Sequence, residues 1–431
     1  MKIYISGISG TGMGPLALMA ADAGLTVSGS DLTAGAVTNE LINHGIKVCL
    51  GEQNGEFMQA RADNEGIDWF VHTAALPDNH PEMKLAKKLK LKISKRDELI
   101  NYLVKKLKLK LIAVAGTHGK TTTAAMLIWG AKQMGLPISY LVGTTLPFAE
   151  AGHYDPKSKY FIYEADEFDR NFLHFKPWLS VIPVVTYDHP DIYPTVEDYQ
   201  EAFCQFEKQS ELVLHGDEID SGLTLAGEAR RYDATLAIDA LEHILPKRLL
   251  GSRHKQLVKI MNEFPGVGRR FEQVSEGYYS DYAHHPEEVK ATVEIALEEA
   301  DKRSLKGVVV IYEPHQNMRQ KELAEQYQDA LVGAKKIYWV PTYLTRENTE
   351  QGVLSPADFI KHLDNKKDAE VAELNNALAE KVKDWHKKGY LILLMSAGPA
   401  DAWIRKLVYA GNQESAATQL LHAPQSAERE L

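Results

Sequence analysis

A strand-like apolar run at 109–115 leads directly into Gly116-Thr117-His118-Gly119-Lys120-Thr121-Thr122-Thr123, and a helix-like pattern continues from there to about residue 134. A buried strand, a glycine loop and a helix N-terminus in succession fix a βα turn whose backbone N–H groups converge on an anion. Lys120 adds a cation for β- and γ-phosphate oxygens, and the Thr121 hydroxyl suits Mg²⁺. The segment therefore specifies a nucleoside triphosphate site built from Gly116, Thr117, His118, Gly119, Lys120, Thr121 and Thr122. Val114 stands where the usual GxxxxGK[ST] pattern begins with glycine, so the match is partial. The strand context, Lys120 and Thr121 together outweigh a loop that is glycine-rich merely for turning.

Alternating strand and helix patterns extend this architecture along the chain. A strand at 3–5, a glycine loop, a helix through Leu16, Ala17, Leu18 and Ala21, and a strand at 25–27 form a βαβ unit. Further strands are expected at 69–73, 139–142, 160–163 and 179–186. Beyond a linker-like Phe264-Pro265-Gly266-Val267-Gly268, others are expected at 307–312, 336–340 and 390–395. Strands alternating with helices indicate doubly wound, parallel α/β sheets. The punctuation divides the chain into three expected domains, 1–108, 109–267 and 268–411, with a polar, weakly periodic flexible tail at 412–431.

Composition removes other classes. The 431 residues suffice for several domains, each with its own core. With 49 Lys+Arg against 59 Asp+Glu the formal charge is −10, which disfavours nucleic-acid binding driven by phosphate neutralisation. The stretch 84–110 carries eleven Lys or Arg and two acids, but it lacks interleaved aromatics and begins as an amphipathic helix with its lysines facing water. No apolar run approaches the roughly 18 residues of a membrane span, and residues 1–5 enter a strand rather than a signal peptide. Cys49 and Cys204 stand alone, as in a reducing compartment. A cytoplasmic protein without nucleic-acid or membrane partners is expected.

Three further clusters carry chemistry. Gly7-Ile8-Ser9-Gly10-Thr11-Gly12-Met13-Gly14, with Asp31 ending the next strand, suits a diphosphate at a helix N-terminus. Pro15 occupies the last glycine's place of GxGxxG, so NAD and another nucleotide diphosphate stay equal alternatives. Glu164-Ala165-Asp166-Glu167-Phe168-Asp169 follows one strand and Asp188-His189 another; carboxylates at such strand ends face the phosphate loop and can complete a magnesium shell. His189 is an unusual ligand for so hard an ion, and a histidine satisfying loop hydrogen bonds is an equal alternative. Arg269-Arg270-Phe271 offers a clamp for phosphate or carboxylate, and Asp281-Tyr282-Ala283-His284-His285-Pro286 an acid able to reach a ribose hydroxyl or an amine. Adjacent side chains in an extended segment diverge, which disfavours zinc between His284 and His285.

In this order and spacing, together with Ser396-Ala397-Gly398, the clusters resemble the Mur ligase family of ATP-dependent, amide-forming enzymes of peptidoglycan synthesis, over residues 3 to about 405. The resemblance implies an N-terminal Rossmann-like domain holding the UDP part of a substrate through Gly7, Ser9, Gly10, Thr11, Gly12, Met13, Gly14, Asp31 and Thr73. It implies a central P-loop-type ATPase domain with ATP and Mg²⁺ as cofactors, and a C-terminal Rossmann-like domain that closes over both. Lys120 would contact the phosphates, Thr121 and Glu164 one magnesium, and Glu164 with His189 a second. Arg270 and Asp281 would lie near ATP, and Tyr282, His284 and Arg319 near the incoming amine. The implied partners are UDP-N-acetylmuramate and L-alanine, joined through an acyl phosphate, with a monomer or homodimer as the assembly.

Two departures qualify the match. Where the family shows Gly-x-His-Asn-x-x-Asn for adenine, this chain has Gly227-Glu228-Ala229-Arg230-Arg231-Tyr232-Asp233, which leaves Arg230 or Tyr232 to stack on the base, or relaxes base preference. Where the alanine-adding branch shows Pro-His-Arg-x-x-Arg, it has Pro314-His315-Gln316-Asn317-Met318-Arg319, and Glu313-Pro314 with Asn317 resembles a tripeptide-adding branch. That branch is the nearest alternative. A noncatalytic UDP-sugar binder and an NAD dehydrogenase are the others, and both leave Lys120, Thr121, Glu164 and His189 without a role.

Overall fold

The computed structural model describes residues 1–189, 192–216, 218–245, 250–344 and 352–409. The tail expected at 412–431 lies outside them. The chain forms two compact units, one of Met1–Leu225 with Ala229–Gly268, the other of Ala226–Glu228 with the chain from Arg269 onward. None of the described helices is long and apolar enough to cross a membrane.

The first unit contains two sheets. β1 (Lys2–Ser6), β2 (Thr26–Asp31), β3 (Lys47–Leu50), β4 (Trp69–His72) and β5 (Lys92–Ser94) form a parallel sheet in the order β3-β2-β1-β4-β5. β6 (Lys110–Val114), β7 (Ser139–Leu141), β8 (Gly152–His153), β9 (Tyr160–Glu164), β10 (Leu179–Ile182) and β11 (Leu212–His215) form the second, in the order β11-β10-β6-β9-β7-β8, antiparallel only at β7–β8. The second unit holds β12 (Glu272–Ser275), β13 (Tyr278–Asp281), β14 (Val308–Glu313), β15 (Lys336–Trp339), β16 (Ala369–Val371) and β17 (Leu391–Ser396), in the order β12-β13-β17-β14-β15-β16, antiparallel only at β12–β13.

Strand periodicity divides each sheet between two cores. Leu111 and Ala113 enter one core, while their neighbours Ile112 and Val114 enter another. Val308, Val310 and Tyr312 likewise part from Val309 and Ile311. These near-continuous apolar strands are what helices on both faces of a parallel sheet require. One expectation needs correcting: the strand foreseen at 179–186 ends at Ile182, because Pro183 has no N–H for the ladder, and Val184 makes only an isolated bridge to His118.

A single core joins the first two sheets, combining Ile3, Ile5 and Leu16 with Leu111, Phe161 and Phe203. The helix Met13–Asp22 mediates this union by packing on β8. At its start the Pro15 carbonyl lies where a Cβ on Gly152 would stand, so only glycine allows the approach. At its end Asp22 Oδ2 accepts from the Tyr154 N–H (3.1 Å) and lies 3.0 Å from His153 Nδ1. Gly152→Ala should therefore destabilise the chain by about 1–3 kcal/mol and lower the melting temperature by about 2–4 °C for each of those. An unchanged melting curve would refute this account of the junction.

Candidate active site

Three strand ends of the second sheet surround the loop at 116–119. β6 delivers Gly116, β9 ends on Glu164, and the chain leaving β10 passes through Val184, Thr186, Asp188 and His189. The Thr117 N–H donates to the Val184 carbonyl (2.7 Å), the Thr117 hydroxyl lies 2.7 Å from that of Tyr199, and His118 Nε2 lies 3.1 Å from Thr186 Oγ1. Gly119 turns through φ 80° into the helix Lys120–Gln133, whose N-terminus has no side-chain cap and no acid in its first turn. A helix end of this kind favours negative charge, and the Asp233 carboxylate already lies against Gly119. Thr122 follows on the same turn, half-buried.

Lys120 Nζ donates to the Gly116 carbonyl, to that of Thr117 (3.0 Å) and to Glu167 Oε1 (3.0 Å), and forms an ion pair with Glu167 Oε2 at 2.8 Å. Burial alone would favour the neutral amine, but the carboxylates of Glu167, Asp166 and Glu164 outweigh it and hold the Lys120 pKa above the ordinary lysine range. Glu167 is held below the usual carboxylate range, its own burial overcome by Lys120 and His189. Burial and the charge of Glu167 push Asp166 up. Thr121 Oγ1 donates to Glu164 Oε1 (2.5 Å), and the Gly143 N–H donates to Glu164 Oε2 (3.2 Å). This hydroxyl and carboxylate are hard oxygen donors of the kind magnesium prefers. His189, at φ 59°, places Nε2 3.7 Å from both Glu167 Oε1 and Asp188 Oδ2. Among the described residues neither Glu164 nor His189 joins a cluster of three carboxylate, imidazole or thiolate ligand atoms. The rest of a magnesium shell would come from phosphate and water.

The glycine loop of the first sheet lies at the switch point between β1 and β4. Its Gly7 and Ile8 N–H groups donate to the Ser30 carbonyl (2.8 and 3.0 Å), and the Gly10 carbonyl accepts from Met13 (3.1 Å) and Gly14 (2.9 Å). The Ser9 N–H donates to Asp31 Oδ2 (2.9 Å), and the Thr73 N–H donates to the Ser6 carbonyl (3.2 Å), so both predicted residues border the loop. Gly10 and Thr11 are exposed at its tip, and Gly12 lies under the Arg96 guanidinium.

In the second unit, Asp281 ends β13 with its carboxylate turned into its own loop, accepting from the N–H groups of Phe271 (2.6 Å) and Ala283 (2.7 Å); burial pushes its pKa up to about 6. The guanidinium carbons of Arg269 and Arg270 stand 4.6 and 5.4 Å from the Tyr282 ring centre, and Arg270 Nη1 lies 3.9 Å from Glu288 Oε1. His284 Nδ1 is 3.3 Å from Glu288 Oε2, while His285 caps the helix Pro286–Lys302. Arg319 Nη1 lies 3.4 Å from His315 Nδ1.

Sequence reasoning passed over several groups. Glu167 was visible only as one acid among several, and nothing local marks it as the partner of Lys120. Arg96, in the lysine-rich stretch read as a solvated face, is half-buried and reaches Asp166 Oδ2 (3.3 Å). Glu82, on the helix Pro81–Lys88, is 1% exposed and accepts from the hydroxyls of Tyr4 (2.7 Å), Ser6 (2.6 Å) and Ser30 (2.6 Å). Tyr232, a candidate to stack on a base, also acts as a tether: its hydroxyl donates to the carbonyls of Pro183 (3.1 Å) and Gly216 (2.8 Å).

Comparison with known proteins places the chain in a family. The family model described as "Mur ligase family, catalytic domain" matches residues 2–107, "Mur ligase middle domain" 114–230 and "Mur ligase, glutamate ligase domain" 269–398. A UDP-N-acetylmuramate–L-alanine ligase of Chloroflexus aggregans is 30% identical over 421 residues, covering 82% of this chain and 86% of that one. A protein of the same name from Syntrophomonas wolfei is 28% identical over 404 residues, covering 81% and 84%. The crystal structure of a UDP-N-acetylmuramate–alanine ligase from Thermotoga maritima shares the fold, with a TM-score of 0.74 at 22% identity over 96% of this chain and 100% of that one. The three-sheet α/β architecture, the nucleotide loop and these matches together make the chain a member of the Mur ligase family and an ATP-dependent ligase.

Proposed function

We propose that the chain joins L-alanine to UDP-N-acetylmuramate in the cytoplasm, using ATP and magnesium, with 1–108 binding the UDP-sugar, 109–267 the ATP and 268–411 completing the ligase site. The observation that carries this reading is the Lys120–Glu167 ion pair beside an uncapped helix N-terminus and the Thr121–Glu164 oxygen pair. A fixed cation and an anion-attracting helix end within one loop suit phosphoryl transfer. The names of the relatives supply the acceptor and the amine.

The lactyl carboxylate attacks the γ-phosphorus, giving an acyl phosphate and releasing ADP. The amine of L-alanine then attacks the acyl carbon, loses a proton and expels inorganic phosphate. Charge gathers on oxygen in both steps, so Lys120 and the loop N–H groups stabilise it without a covalent protein nucleophile. Magnesium, when bound, neutralises phosphate charge; Thr121 Oγ1 and Glu164 would hold one ion, and Glu164 with His189 a second. The loop at 7–14 and Asp31 hold the UDP diphosphate and its ribose side, with Thr73 at the loop's base. Arg270 and Asp281 serve the ATP side, and Tyr282, His284 and Arg319 the amine.

ADP release should require UDP-N-acetylmuramate and L-alanine together. Turnover with L-alanyl-γ-D-glutamyl-diaminopimelate in place of L-alanine would move the chain to the tripeptide-adding branch. Lys120→Ala combined with Glu167→Gln, which avoids leaving a bare buried carboxylate, should lower turnover by about 10²–10³-fold or more. UDP-N-acetylmuramate affinity, measured by calorimetric titration, should stay within about twofold, since the variant leaves the 7–14 loop intact. A parallel loss of both would contradict separate UDP and ATP sites.

A further inference from the structure

The third sheet has its own switch point, between β14 and β17, where chain connections leave in opposite directions. In doubly wound sheets the crevice beyond such strand ends is where ligands bind. Here it opens into a cleft of about 400 Å³ lined by Glu313, Val340, Thr342, Tyr343, Glu373 and Pro399, among others.

Glu313, the last residue of β14, is 4% exposed. Its Oε2 accepts from Ser396 Oγ (2.5 Å) and from the Ala400 N–H (3.3 Å), and no ion pair neutralises it among the described residues. Burial pushes its pKa up, while Ser396, Ala400 and Arg269 pull it back. Arg269 is engaged elsewhere, donating through Nη2 to the Ser396 carbonyl (2.6 Å) and standing 3.9 Å from Asp401. A buried carboxylate without an ion-pair partner is costly unless a cation arrives.

The cleft is built to keep that carboxylate beside an aromatic face. A Cβ on Gly398 would stand 2.5 Å from the Tyr343 ring and 2.6 Å from Glu313 Oε2, so glycine lets the two converge. A ring-to-ring series then leads from the cleft to the predicted amine-side residues. Tyr343 stacks on His315 at 5.9 Å, His315 meets His284 at 5.4 Å, and His284 meets Tyr282 at 5.5 Å.

We propose that Glu313 and the Tyr343 ring form an ammonium-binding subsite that takes the amino group of the amine substrate. The carboxylate supplies charge and the ring face a cation–π contact. This inference rests on the ligase reading for the identity of the amine, but the subsite itself is defined by the cleft.

Glu313→Gln tests it, because the amide oxygen can still accept from Ser396 and Ala400 while the charge is gone. The variant should raise the KM for L-alanine by about tenfold or more and leave those for ATP and UDP-N-acetylmuramate within about twofold. Saturation-transfer NMR on the full chain supplies a second readout. L-alaninamide, which keeps the ammonium group, should receive saturation from the native chain and lose it with Glu313→Gln, whereas N-acetyl-L-alanine should receive none in either. An unchanged L-alanine KM, equal rises in all three KM values, or an alaninamide signal absent or indifferent to the variant overturns the subsite. Alaninamide binding that depends on Glu313 in a chain that releases no ADP with any amine sustains the subsite and overturns the ligase reading instead.

Discussion

The buried pairing of Lys120 with Glu167 is the interaction on which the nucleotide site depends. Desolvating either charge alone costs several kcal/mol, and deleting one partner of such a pair commonly destabilises by about 3–5 kcal/mol. The pair persists because Gly116 and Thr117 turn their carbonyls toward the ammonium and because Asp166 and Glu164 add to the field that keeps it charged. The same field creates a demand. Glu164, Asp166 and Glu167 bring three carboxylates to one loop, against Lys120 and the Arg96 that reaches Asp166. A triphosphate entering there adds more negative charge, which one helix end and one lysine do not balance. In the proposed reaction a divalent cation on the Thr121–Glu164 oxygens would offset that charge.

What the sequence discloses and what it hides divide along local and non-local physics. The loop at 116–123 is legible because every element of its chemistry, strand, glycine turn, lysine and helix start, lies within a dozen consecutive residues. The buried strands of the central and third sheets are legible from their apolar runs. Glu167 as the partner of Lys120, Arg96 over Gly12 and the buried carboxylate of Glu82 depend on residues dozens of positions apart, and no local pattern announces them. Arg96 stands in a run dominated by surface lysines with nothing local to set it apart, yet as the first residue of the helix Arg96–Lys106 it is half-buried and reaches Asp166. The tether made by Tyr232 was hidden for the same reason: its hydroxyl closes the carbonyls of Pro183 and Gly216, which lie 49 and 16 positions away.

The union of the first two sheets was equally hidden. Sequence punctuation near residue 108 suggests independent domains, and each sheet does form its own strand order. Their shared core arises because a two-residue strand, β8, lies against the helix Met13–Asp22, with Asp22 receiving His153 and the Tyr154 N–H. Burial would raise the Asp22 pKa, but these partners and His44 hold it below the usual range, so the ionised form is the one that latches the helix. A strand of two residues carries no periodicity to read.

The departures from the family pattern in the third sheet converge on one short segment, and its geometry gives them a common physical meaning. Glu313 faces the cleft, His315 joins the ring series, and Asn317, 1% exposed, donates to the Gly352 carbonyl (3.1 Å) and accepts from the Leu354 N–H (2.8 Å). Between them Gln316, where the alanine-adding branch has arginine, holds φ 63° and ψ 123°, a conformation L-residues rarely adopt. Its N–H donates to the Tyr343 carbonyl (3.1 Å), and the Tyr343 N–H donates to the Pro314 carbonyl (2.8 Å). Backbone strain survives only where surrounding bonds over-determine it, and here those bonds fix Tyr343, the aromatic wall beside Glu313. Replacing the arginine removes one guanidinium from a carboxylate clamp. On the proposed reading, the segment then recognises the amine more through its ammonium group than through its carboxylate, with the strained turn at Gln316 keeping the recognising face in place.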